Sequence, residues 1–116
     1  IRALWWSALL LLTAAILVLA LTPAPPTQGT GWDKANHALA MAVVMLVAFR
    51  AFSATSRPRL YAALFAVSLG ALIELLQGTC TSSRSAEWGD FLADLCGVIP
   101  VLLVLGLLQR KRKAVC

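Results

Sequence analysis

The chain has 116 residues, of which 60% are hydrophobic and only 13% charged, and it carries a net charge of +5. An ordinary soluble domain carries roughly twice that share of charge, so the composition excludes a water-dispersed globule and points to a single integral membrane domain spanning 1–116. The basic residues flank apolar runs; a short basic segment straight after an apolar run is more simply a membrane anchor than a nucleic-acid patch, so no nucleic-acid partner is expected.

In chain order, the first apolar run, 3–21, is ~28 Å long as a helix, enough to cross a bilayer. Its rival reading is a secretory signal with Val18-Leu19-Ala20 as cleavage site, but its apolar core exceeds the ~7–15 residues of such signals. Trp5 and Trp6 stand near Arg2, where an interfacial aromatic anchor belongs. The Pro- and Gly-rich stretch 22–32 reads as a loop. Asp33 is a suitable N-cap for a second helix at 34–52. A basic turn at 53–59 follows. A third helix is predicted at 60–77, closed by Gly78, then a polar loop at 78–86. A fourth helix at 87–108 contains Pro100, a local kink that membrane helices tolerate, and leads to a basic tail at 109–116. Three cysteines without a CxxC pair, Cys80, Cys96 and Cys116, predict no structural disulfide. The fold class is therefore an all-α integral membrane protein, a four-transmembrane-helix bundle.

Arg2, the turn 50–59 and the basic tail alternate along the chain as one side of a four-span topology. The positive-inside rule makes that side, with both termini, cytoplasmic. All five acids, Asp33, Glu74, Glu87, Asp90 and Asp94, and the single histidine, His37, then fall at the outer end. His37 shares a helix face with Asp33, Gln77 lies one turn from Glu74, and Glu87, Asp90, Asp94 and Gly97 or Val98 form one stripe. Lys34 and Arg84 lie at the rim. Snorkelling to the interface explains the rim residues as well as function does. It explains His37, Glu74 and Asp94 less well, because ionisable groups deeper in apolar sequence are functional by default.

The strings Asp33-Lys34-xx-His37, Ile73-Glu74-xx-Gln77 and Arg84-Ser85-Ala86-Glu87-Trp88-Gly89-Asp90, extended by Asp94 and Gly97, resemble the VanZ-like family over nearly the whole chain. The departure is the segment 78–83, where a Pro shortly before the arginine would be expected. The family's founding member is named for teicoplanin resistance. The resemblance implies a multi-pass protein of the bacterial inner membrane, linked to the cell envelope and distantly akin to enzymes that exchange or remove lipid head groups.

The residues themselves allow phosphoester chemistry. His37 can act as general base or as nucleophile, and Glu74 or Asp94 can orient it. Arg84 and Lys34, with Gln77 and Asp33, are candidate substrate contacts, the arginine through its bidentate fork. The serines lie outside any nucleophile-elbow pattern, which argues against a serine hydrolase. Five acids against Lys34 and Arg84 leave an excess of three negative charges if all ionise. Either burial keeps some protonated, or a divalent cation (Mg²⁺ or Ca²⁺) sits between Asp90, Asp94 and Glu87. The expected partner is a membrane lipid or a lipid-linked phosphate. The alternative is a non-catalytic membrane protein that binds a lipid, an antibiotic or a protein. Ala35, Ala38 and Ala42 allow close packing, within the chain or in a homo-oligomer.

Overall fold

The computed structural model describes residues 1–21, 33–80 and 88–115. They form four helices: α1 (Arg2–Leu21), α2 (Asp33–Ala51), α3 (Pro58–Cys80) and α4 (Trp88–Val115). Three of them, α1, α3 and α4, are long and apolar enough to cross a membrane; the apolar part of α2, Ala35–Ala51, is shorter. As a helix that part is ~26 Å long, at the lower limit of a span.

Three boundaries differ clearly from the sequence-based expectation. The third helix does not close at Gly78 but runs to Cys80. Thr79 supports the extra turn by donating its Oγ1 hydroxyl to the Leu75 carbonyl at 2.7 Å, the back-bond that a threonine makes inside a helix. Its start moves back to Pro58, because proline suits a first helical position that needs no N–H. The fourth helix runs through Pro100 and continues past Leu108 to Val115, so Arg110–Lys113 is helical rather than a tail. Cations in the last turn complement the helix dipole.

The helices alternate in direction, and both α2 and α3 touch every other helix, whereas α1 and α4 are not in contact with each other. The cross-section is thus a rhombus with α2 and α3 on its short diagonal. The molecule measures 53 × 26 × 22 Å, long enough to cross a ~30 Å hydrocarbon layer with both ends outside it. The core is built from helical stripes: Met41, Val44, Met45 and Ala48 of α2 face Ala62, Ala66, Leu69 and Ile73 of α3. Large apolar side chains also cover the outside, among them Leu10, Leu46, Leu64, Leu75, Leu103 and Leu107. Such a coat has no place in water and suits hydrocarbon.

The tightest contact joins the parallel pair α2 and α4. A Cβ built on Gly97 would lie 2.0 Å from the Ala38 carbonyl oxygen and 3.0 Å from the Ala42 nitrogen. Ala38 and Ala42 form a small-xxx-small step that receives the bare backbone of Gly97. The close packing expected of these alanines is therefore made within the chain.

At the opposite end of α2 an aromatic cluster ties three helices together. Trp6 meets Phe52 edge-on with centroids 4.9 Å apart, Phe52 leans on Tyr61 at 5.9 Å, and the Arg50 guanidinium lies 4.9 Å from the Trp5 ring centroid. The tryptophans are thus held by protein partners as well as placed at the basic end.

Gly97→Ala must push α2 and α4 apart, since backbone rather than a flexible side chain blocks the methyl group. Thermal unfolding in detergent should show a loss of ~1–3 kcal/mol. Gly106→Ala, which meets only the movable end of Arg59, should change stability by less than ~0.5 kcal/mol.

Candidate functional site

The inward stripes of three helices do not stay apolar to their ends. Continuing Met41 one turn toward the start of α2 reaches His37. Continuing Ile73 along α3 reaches Glu74 and Gln77. Continuing Val98 back along α4 reaches Asp94. These four polar side chains cap the core at the end away from Arg50, Arg59 and Arg112. Measured along each helix, His37 lies four residues from the start of α2, Glu74 six from the end of α3 and Asp94 six from the start of α4. That places them roughly 6–9 Å inside the helix ends.

Burial is nearly complete. Asp94 is 1% exposed, Gln77 2% and Glu74 8%. His37 is the most open of the four, its side chain 14% exposed. With Nδ1 protonated, His37 donates to Asp94 Oδ1 at 3.3 Å, a long contact that still fixes which ring nitrogen faces the carboxylate. The second oxygen, Asp94 Oδ2, is buried with no hydrogen-bond partner among the described residues. One donor atom from each of His37, Glu74 and Asp94 lies within 4.8 Å of the other two. Two carboxylates and an imidazole at that separation could share a proton, or draw in a small cation with oxygen and nitrogen ligands. Gln77 also ties two helices together. Its amide Nε2 donates to the Ala20 carbonyl at 2.9 Å. Ala20 is next to last in α1 and so has no partner within its own helix. Gln77, expected as a substrate contact, thus also clamps α1 to α3 in the described geometry.

Of the other expected site residues, Arg84 and Glu87 lie outside the described residues. Asp33, Lys34 and Asp90 belong to helices, but their side chains lie outside the described set. The expected cation ligands Glu87 and Asp90 are thus not placed, and Asp94 is joined instead by His37 and Glu74. Two features escaped the sequence. Gly70 makes room for the acid: a Cβ there would lie 2.8 Å from Asp94 Oδ2. Its signal was its position one turn before Glu74 on the same face. Thr13 buries its hydroxyl in α1 without a partner among the described residues, and nothing in the structure explains it. Cys96 is exposed on the outer face of α4.

Compared with family models, curated proteins and solved structures, the chain matches none.

The contact itself is testable by a double-mutant cycle in detergent unfolding. His37→Ala and Asp94→Ala should couple by ~1 kcal/mol. In a Gly70→Ala background, where the carboxylate is displaced, the coupling should fall toward zero; additive single variants in both backgrounds would contradict the contact.

Proposed function

We propose that this chain is a multi-pass protein of VanZ-like type in a bacterial cytoplasmic membrane, and that it acts on the phosphate-linked head group of a membrane lipid or lipid-linked envelope precursor. In this reading four helices span the bilayer, both termini are cytoplasmic and the His37 site faces the exterior. A link to glycopeptide susceptibility of the teicoplanin type follows from the same resemblance. The observation that carries the proposal is the triad of half-buried His37 with buried Asp94 and Glu74, whose donor atoms lie within 4.8 Å of one another, in a protein with an apolar coat. Ionisable groups kept at such depth are costly unless they are used.

The chemistry follows from the hydrogen bond. Asp94 holds His37 through Nδ1, so Nε2 is the nitrogen that exchanges a proton with a bound head group. His37 takes the proton of an attacking hydroxyl as the new phosphorus–oxygen bond forms. It returns that proton to the departing head-group alcohol as the old phosphoester bond breaks. Asp94 stabilises the transient imidazolium. Arg84 and Lys34 are the proposed phosphate contacts, and a divalent cation on Asp94 with Glu74 would neutralise further phosphate charge.

The test uses full-length protein in lipid nanodiscs supplied with phospholipids and polyprenyl phosphates, with and without Mg²⁺ or Ca²⁺, followed by mass spectrometry of the lipids. The wild type should change a head group, and His37→Gln should be slower by ~10²-fold or more. Turnover that survives His37→Gln would defeat the assigned chemistry. Lipid retained without turnover by both proteins would favour a binding role instead.

A further inference from the structure

The basic end holds a second feature that the His37 site does not use. Between the start of α3 and the end of α4 lies a cleft of about 870 Å³. Arg57, Arg59, Arg112 and Lys113 line it. Leu60, Leu102 and Leu103 line it as well, and Leu60 and Leu103 are exposed to the surroundings of the bundle. The described acids, Glu74 and Asp94, are at the other end, so among the described residues none of the four cations has a carboxylate partner. One of the four is positioned by the fold. Gly106 of α4 is buried, and its missing side chain leaves the place where Arg59 Nη1 rests, 2.6 Å from where a Cβ would be. Arg59 is therefore laid across α4 instead of extending freely into water.

We propose that this cleft binds one anionic phospholipid of the leaflet at the basic end. Its phosphate sits among Arg57, Arg59, Arg112 and Lys113, and an acyl chain lies along Leu60, Leu102 and Leu103. Charge complementarity selects the occupant: four cations with no carboxylate partner among the described residues demand an anion, and the exposed leucines beside them demand a tail. A free phosphate would satisfy only the first demand. The site rests on the membrane reading of the chain but not on chemistry at His37, because lipid retention and lipid turnover are read separately.

Native mass spectrometry of the full chain in detergent tests it, with phosphatidylglycerol, phosphatidylcholine and glycerol 3-phosphate as probes. The wild type should hold one phosphatidylglycerol in preference to phosphatidylcholine, and glycerol 3-phosphate should not displace it. Arg59→Gln with Arg112→Gln should weaken retention on the order of 10-fold. Arg110→Gln with Lys111→Gln removes the same charge from residues that do not line the cleft, and should change it by less than about 2-fold. Gly106→Ala keeps every charge but moves the Arg59 guanidinium, and should weaken retention too. Thermal unfolding of each variant checks that the fold is intact. Equal retention of phosphatidylcholine, displacement by glycerol 3-phosphate, or equal losses in the two double variants would overturn the proposal.

Discussion

The structure turns on the close approach of α4 to α2 at Gly97. No side chain separates the two backbones there, because Gly97 meets the Ala38 carbonyl and the Ala42 nitrogen directly. Ala38 is one residue beyond His37, and Gly97 is three beyond Asp94. The contact that locks the two helices therefore also sets the distance between imidazole and carboxylate. A second glycine, Gly70, provides the hollow on α3 into which the Asp94 carboxylate fits. Neither glycine carries chemistry. Both decide where the chemistry-bearing groups stand.

The same packing separates the molecule into two polar ends joined by an apolar middle. At one end short side chains, buried and tied across helices, cap the core: His37 to Asp94 and Gln77 to the last turn of α1. At the other end long cationic side chains lie on the surface, one of them over a tryptophan ring and another across Gly106. The difference follows from reach. An arginine can leave its charge in water while its stem covers apolar surface, whereas an aspartate or histidine must be sited where its charge is wanted. Groups that could have been placed at the surface are instead buried at the capped end, which is why that end carries the functional reading.

Much of this was legible in the sequence. Hydropathy and turn residues give four helices, and alternation of basic segments gives their order of direction. The spacing of His37, Glu74 and Asp94 within their runs predicts that they reach a common level. What could not be read was mostly a matter of neighbours. Gly78 looks like a helix stop, yet the Thr79 back-bond carries α3 past it to Cys80. Arg110–Lys113 looks like a solvated tail, yet α4 continues through it. Gly70 and Gly106 look like weak points in apolar helices, and only the packed structure reveals a carboxylate against one and a guanidinium against the other. Gln77 also clamps two helices, which its sequence does not show, because α1 ends where its amide can reach.

The central claim is that the bundle crosses a membrane with the His37 end outside and the end bearing Arg59 and Arg112 inside. It is tested most directly by sided labelling across α3. In a background with Cys80, Cys96 and Cys116 replaced by serine, single cysteines at Ser56 and at Thr79 bracket the helix at exposed positions. A membrane-impermeant maleimide applied to intact cells should label Thr79→Cys at once, and Ser56→Cys only after the membrane is permeabilised. Labelling of both from the same side, or of Ser56→Cys alone from outside, would contradict the account.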